Sequence, residues 1–317
     1  MLDIPFLDLS TRTSHEIQPT RSQLAGRAQR IADRTEHHAG SDQGSSESTR
    51  DEQCLSRLRA YFDDPLLVAS GRQMLLTPRA ESLVDPVREV LMRIDSTIAT
   101  HPSFDPSKAS KRFTLLVSDF TTAVFVPPLL RRLYEVAPGI GLDLRMQASD
   151  PATAIERGDG DLLIIPSQYV SPEHPAQPLF EEDYVCVTWS GNRHISGSLT
   201  FDDYLACGHV IANYSSNQRV SAFDAWFLDR FQVKRRVEVT APALAALPSM
   251  VIGTDRIATV HRRLATQAAR GGLPIVIWEL PLEAPKLIQM VQWHKYRSKD
   301  PALQWLLQVS TEVGLSI

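Results

Sequence analysis

The sequence predicts an α/β protein in three parts: an N-terminal winged helix that is partly degraded, a linker helix, and a larger domain of two α/β lobes. Three observations carry this. The segment CLSRLRAYFDDPLLVASGRQMLLTP, Cys54 to Pro78, is laid out as a helix end, a turn and a two-stranded wing. The next segment, Pro78 to Ala99, repeats apolar residues at three- and four-residue spacing, the stripe of a helix. From Phe113 onward, apolar strand-like runs alternate with helical ones, the pattern of a parallel sheet covered by helices.

In the wing segment, Leu55, Leu58 and Tyr61/Phe62 share one helical face, and Arg57 and Arg59 project from the others. Asp63-Asp64-Pro65 stops the helix, because Pro cannot donate the next hydrogen bond and restrains the residue before it. Leu66-Leu67-Val68, a turn at Gly71 and Met74-Leu75-Leu76 then form a hairpin, and Thr77-Pro78 is an N-cap followed by Pro at the first helical position. Upstream the composition changes. Ser41 to Gln53, SDQGSSESTRDEQ, has no aliphatic residue, and Thr11 to Arg34 is polar with weak helical periodicity only around Leu24 to Ile31. On composition, 11–53 reads as disordered.

The stripe on the linker helix is Leu83, Val87, Val90, Leu91, Ile94 and Ile98, with Arg88, Glu89, Arg93 and Asp95 off it. Pro86 either bends this helix or begins a second segment. An apolar stripe on a helix between two domains has no local core to face, so it is expected to pair with a second copy of the chain. HPSFDPSKASKR, His101 to Arg112, reads as a hinge.

FTLLVSDF, GLDLRMQA and DLLIIP read as strands, separated by helices over Ala123 to Val136 and Pro151 to Arg157. YVCVTW leads out to a second unit of strands HVIANY, RRVEVTA and RIATVH, with helices at Ser221 to Phe231, Leu244 to Ile252 and Arg262 to Ala269. LIQMVQWH returns, and Pro301 to Val313 closes as a helix. Two α/β lobes joined by two crossing strands make a periplasmic-binding-protein-like fold, which binds ligands at strand C-termini between the lobes. The domains are then a winged helix over 1–77, a linker helix over 78–100, a hinge over 101–112 and a two-lobed domain over 113–317. Lobe I takes 113–185 and 290–317, lobe II 186–289.

Composition narrows the function classes. With 317 residues, 43% hydrophobic, 22% charged and a net charge of −4, the chain is an ordinary globular protein with no global nucleic-acid signature. Cys54, Cys186 and Cys207 are too widely spaced for a disulfide framework or a zinc site. No apolar run reaches the roughly 18 residues of a membrane span, and MLDIPFLDLS lacks the features of a secretory signal. The expected setting is cytoplasmic, away from membranes. Walker A and Gly-Xaa-Ser-Xaa-Gly patterns are missing, and neither His37-His38 nor His294 to Arg297 has metal or triad spacing. No enzyme activity, cofactor or metal is expected.

Cys54 to Pro78 resembles the recognition-helix end, wing and linker-helix start of LysR-type transcriptional regulators. RFTLLVSDF, LFEEDYVCV, KRRVEV, GTDRIATV and QWHKYRSKDPALQWL together resemble one branch of that family, the regulators of nodulation and of salicylate, chloro-aromatic and nitro-aromatic breakdown. The resemblance runs from Cys54 to the end. It implies a helix-turn-helix within 11–53. Allowed codons for Asp33 to Cys54, read one base later, can spell IEQSITRAAIRAALSQPGMSNA, and the text then joins LSRLRAYF in register as such a motif. Residues 11–53 are thus expected to be either frame-shifted or a disordered extension.

The resemblance implies double-stranded promoter DNA, a small aromatic inducer and a homodimer or homotetramer as partners. It places Arg57 and Arg59 near the DNA backbone and Arg72 in the wing as a backbone or minor-groove contact; the alternative is solvated surface arginines. Ser118, Asp119, Thr121 and Thr122 follow the first strand of lobe I, where this fold binds ligands; the alternative there is helix capping. Phe120 either stacks on an aromatic ligand or fills the core. Ser167, in Pro166-Ser167-Gln168, ends another strand toward the same crevice. His209 matches a histidine that lines the inducer cavity in relatives, or is a hydrogen-bonded core residue. Thr254, beside Asp255, either contacts ligand or caps a turn. Lys234-Arg235-Arg236 is expected as a solvated strand edge. The alternatives to a DNA-binding regulator are an inducer-binding protein that has lost DNA binding through its N-terminus, or a solute-binding protein.

Overall fold

A computed structural model describes residues 45–71, 73–98, 104–147, 150–213 and 222–317. The chain divides into two units between Val87 and Arg88. Residues 11–44 lie outside the described residues. Over 45–53, where composition predicts disorder, the structure instead has the first turns of helix α1, Ser45–Phe62. Glu47, Arg50, Glu52 and Gln53 are adequate helix formers by propensity.

Beyond α1 the chain reverses through Asp63 and Leu66, both in the left-handed region at φ 49° and 58°. Asp64 holds this turn: its Oδ1 accepts from the Leu66 amide at 2.6 Å and from the Thr77 hydroxyl at 2.7 Å. Strands β1 (Leu67–Ser70) and β2 (Gln73–Leu76) pair antiparallel from Leu67↔Leu76 to Ser70↔Gln73. Gly71 supplies the positive φ of 65° that the hairpin requires. Thr77 is the expected cap, its Oγ1 accepting from the Ala80 amide at 3.1 Å. Helix α2, Pro78–Ile98, continues through Pro86 without interruption.

In the second unit, the later turns of α2 dock on the large domain. Met92 is buried against the turn at Gly158 (φ 70°), where an added Cβ would lie 2.9 Å from the Met92 sulfur. The Tyr296 hydroxyl donates to Glu89 at 2.9 Å, and the Arg93 guanidinium lies 5.0 Å from the Tyr296 ring centre. The other face stays in water: Val90, Leu91 and Ile94 are 55%, 51% and 45% exposed.

The first sheet holds β3 (Lys111–Val117), β4 (Ile140–Met146), β5 (Leu162–Pro166), β6 (Ala176–Glu182) and β12 (Leu287–Gln292), in the order β4-β3-β5-β12-β6. Strands β3, β4 and β5 are parallel, and β12 is antiparallel to β5 and β6. The second sheet holds β7 (Tyr184–Trp189), β8 (His209–Ala212), β9 (Val237–Ala241), β10 (Ile257–His261) and β11 (Ile275–Glu279), in the order β11-β7-β10-β8-β9. Only Asp183 separates β6 from β7, so the chain crosses between lobes in one nearly continuous run. It returns at β12, which belongs wholly to lobe I.

Helices α3 (Asp119–Val124), α4 (Val126–Val136), α5 (Pro151–Glu156) and α10 (Pro301–Ser316) cover the first sheet. Helices α6 (Phe201–Ala206), α7 (Ala222–Phe231), α8 (Leu247–Met250) and α9 (Arg262–Arg270) serve the second. The single helix expected over Ala123 to Val136 is two, broken at Phe125, because Pro127 and Pro128 lack amides for a continuous ladder. The α10 face Leu303, Leu306, Leu307 and Val313 is buried. Asp300 caps that helix, accepting from the Ala302 and Leu303 amides at 3.0 and 3.2 Å. One hydrophobic core runs from Phe113, Leu129 and Leu303 in lobe I through Phe120, Phe180 and Val185 to Val260 and Leu264 in lobe II. The lobes therefore share apolar packing at their hinge.

Candidate ligand and DNA sites

The parallel strands of each lobe present their C-terminal ends to the other lobe. At the end of β3, Ser118 caps α3: its hydroxyl accepts from the Thr121 amide at 3.1 Å and shares a hydrogen with Thr121 Oγ1 at 3.0 Å. The Thr122 hydroxyl donates to the Ser118 carbonyl at 2.8 Å. The hydroxyls of Ser118, Thr121 and Thr122 are thus engaged within the turn. Thr121 is fully buried.

Asp119 reaches across. Its Oδ2 accepts from the Ala245 amide at 2.7 Å, in the 3-10 turn Leu244–Ala246 just beyond β9. Its Oδ1 is buried and has no hydrogen-bond partner among the described residues. Phe120 is 2% exposed and lies in the core, its ring centre 4.0 Å from that of His261 and 6.3 Å from that of Phe180. Of its two expected roles, the one visible in the geometry is core filling. Ser167 is exposed and opens the 3-10 turn after β5, at the same sheet end as Ser118.

His209 and Thr254 lie elsewhere. His209 opens β8 rather than ending it, beside Ile257 at the start of β10. Strand β10 runs from there to His261 at the hinge, a span of roughly 13 Å at strand rise. His209 is fully buried, its Nε2 2.8 Å from the Tyr204 carbonyl and its ring edge-on to Tyr204. Burial pushes its pKa down to about 4, and the nearby Arg235 charge adds to the effect. Thr254 closes a turn, its hydroxyl donating to the Val251 carbonyl at 2.8 Å and accepting from the Arg256 amide at 3.2 Å. The structure does not bring these two residues to the crevice. Position along a strand was the missing signal: ligands in open α/β sheets meet strand C-termini, and both residues sit at N-terminal ends.

Arg235 departs from its expected solvated edge. Its side chain is 5% exposed, pairs with Asp224, donates to the Tyr204 hydroxyl at 2.9 Å and lies against the rings of Phe223 and Phe227. Arg236, in contrast, stays on the surface, paired with Glu238 at 2.9 Å. In the first unit Arg57 is exposed on α1. Arg59 donates from Nε to the Pro65 carbonyl at 2.7 Å, which ties it to the turn. Arg72 lies outside the described residues. Among the described residues, no group of three or more His, Cys, Asp or Glu is placed to hold a metal. Among the same residues, no helix is long and apolar enough to cross a membrane.

A two-lobed α/β sensor domain preceded by a helix, a hairpin and a long helix defines a class, and comparison with known proteins gives its family. Residues 106–314 match the LysR substrate binding domain. Nodulation protein D 1 of Rhizobium tropici is 38% identical over 265 residues, covering 82% of this chain and 85% of that protein. Among solved structures, a probable transcriptional regulator from Pseudomonas aeruginosa superposes with a TM-score of 0.63 at 25% identity, over 85% of this chain and 90% of that one. Full-length CbnR, solved with its target DNA, shares the fold at a TM-score of 0.52 and 14% identity, over 84% of this chain and 88% of that one. The chain belongs to the LysR family. It is a transcriptional regulator that responds to an inducer, and not an enzyme.

Proposed function

We propose that this regulator holds double-stranded promoter DNA with its helix-and-hairpin unit, pairs with a second copy along α2, and binds a small aromatic inducer between its lobes. The observation that carries the inducer site is the meeting of two strand ends from different sheets at Asp119 and Ala245, 2.7 Å apart. Crevices at strand C-termini are where open α/β sheets take their ligands. Asp119, with Ser118, Thr122 and Ser167 around it, supplies the lobe I side. Phe120 and Thr121 lie beneath as packing, and residues 243–246 face them from lobe II. A ligand with different affinity for open and closed lobes shifts their balance, and through α2 the spacing of the paired DNA-binding units. Arg57 and Arg72 are assigned to the phosphate backbone, and Arg59 acts through the turn it braces. The exposed α2 stripe supports a homodimer, with a homotetramer as two such pairs. Its setting is the cytoplasm, where promoter DNA is found.

A mobility-shift titration on the DNA upstream of the gene, with and without a panel of aromatic acids and phenols, tests this. The expected result is a shifted band whose affinity or mobility changes with at least one aromatic compound. Binding indifferent to every member of the panel removes the inducer site; no binding to any duplex removes the DNA role.

A further inference from the structure

We infer that Asp119 determines which aromatic head group the inter-lobe site accepts: one that presents a hydrogen-bond donor, neutral or cationic, and not a carboxylate. This rests on the crevice being the inducer site, and it adds the chemistry of the ligand.

The polar groups at the end of β3 are mostly used up by the turn itself. Ser118 and Thr121 bond each other, and Thr122 bonds the Ser118 carbonyl. Asp119 differs. One carboxylate oxygen is held by the Ala245 amide of the opposite lobe, and the other is buried without a partner among the described residues. Among the described residues no cation pairs with it. His261, its ring tilted against that of the neighbouring Phe120, offers no charge at neutral pH, since burial pushes its pKa down to about 3.

A carboxylate oxygen only accepts hydrogen bonds. Left buried and unpaired it is costly, and a ligand hydroxyl, amide or amidinium that donates to it recovers that cost. A ligand carboxylate cannot donate and brings a like charge to the same place. The bond to Ala245 gives the choice a mechanical consequence. A donor-bearing ligand leaves the Asp119–Ala245 link intact and adds to it. A carboxylate competes with Asp119 for the same amide.

The test uses the full-length protein and three probes that share a ring: benzamidine, benzamide and benzoate. Binding is read by thermal shift and calorimetry. The expected order for the wild type is benzamidine and benzamide ahead of benzoate by about tenfold or more, since a site built around an unpaired polar group discriminates strongly. Asp119→Asn keeps an oxygen for the Ala245 amide and turns an NH2 toward the crevice. It should reverse the order, gaining benzoate and losing benzamidine by a similar factor. Ala245→Trp fills the lobe II side and should abolish binding of all three. If the wild type takes benzoate as readily as benzamide, or Asp119→Asn leaves the order unchanged, while Ala245→Trp still abolishes binding, the inference is overturned and the crevice stands. If Ala245→Trp binds the probes as the wild type does, or no probe binds either lobe arrangement, the crevice reading itself fails, and this inference with it.

Discussion

Asp64 and Thr77, thirteen residues apart, share a hydrogen bond of 2.7 Å that closes the hairpin unit at its base. Asp64 Oδ1 also takes the Leu66 amide, which stabilises Leu66 in a left-handed conformation that a leucine rarely adopts. Thr77 passes the interaction on, capping α2 through the Ala80 amide. One carboxylate thus fixes the turn out of α1 and the start of α2.

Asp64→Ala should destabilise this unit by about 1–2 kcal/mol, the scale of a lost cap with an added unmet turn donor. Thr77→Val should cost about 1 kcal/mol. The double variant should cost less than the sum, since both remove the same bond. Amide exchange across residues 64–80 measures this. Additive effects would mean that the bond does not couple the turn to the helix.

Two buried histidines predict an acid-sensitive large domain. Burial holds His209 at about 4 and His261 at about 3, against an ordinary value of 6.5. Between 6.5 and those values the unfolded chain binds protons that the folded one refuses. Stability from this source is therefore complete above pH 6.5 and falls as pH drops toward 4 and then 3. Each histidine contributes a slope of up to about 1.4 kcal/mol per pH unit within its window. Urea unfolding at pH 4.5, 5.5, 6.5 and 7.5 should show stability declining before most carboxylates titrate. His209→Leu and His261→Phe should each flatten the decline by about one proton. Profiles parallel to that of the wild type would refute the assignment.

The α2 stripe predicts the assembly. Val90, Leu91 and Ile94 are about half exposed, on the side of the helix away from Met92 and Glu89. Burying the exposed half of such residues against a second copy is worth about 1 kcal/mol each, twice over in a symmetric pair. Val90→Ala or Leu91→Ala should thus weaken self-association by about tenfold or more. Light scattering after size exclusion over a concentration series reads this out. An unchanged dissociation constant in Val90→Ala/Leu91→Ala would remove α2 as the pairing surface.

Much of the fold could be read in the sequence because its central strands are short apolar runs between turn signals. The strands that escaped, β6 and β11, are both sheet edges. Pro178 and Glu181 in β6 argue against a strand by propensity, yet an edge beside a register shift tolerates them. The candidate site was legible where it depended on position at a strand end, as at Ser118 to Thr122. It was not legible where side chains distant in sequence meet. Asp119 finds Ala245 only through the lobe arrangement. Arg235 looked solvated among Lys234 and Arg236 because its partner Asp224 lies on a different element. Arg235→Met should consequently cost about 3–5 kcal/mol, by removing the guanidinium that the buried Asp224 carboxylate faces. Arg235→Met with Asp224→Leu should recover most of that loss in chemical denaturation. An effect below about 1 kcal/mol in the single variant would instead fit a surface pair.

The last prediction concerns residues 33–54. As they stand, they contain few apolar residues from which to build the two helices that must seat a DNA-reading helix, although a one-base shift restores a motif with alanines, isoleucines and a leucine at helical spacing. Replacing them by IEQSITRAAIRAALSQPGMSNA changes nothing from Leu55 onward. The replaced chain should bind upstream promoter DNA at least about tenfold more tightly than the present one, because each well-placed base contact is worth about 1–3 kcal/mol. Both should respond to inducer alike, since the two-lobed domain is the same. The comparison is a mobility-shift titration of the two proteins on one duplex at one salt concentration, as phosphate contacts make affinity strongly salt-dependent. Equal affinity would mean that 11–53 already forms a competent DNA-reading element from its polar sequence. A replaced chain that also fails to bind would place the defect outside this segment, and the helix-and-hairpin unit would then have to be reconsidered from Arg57 and Arg59 onward.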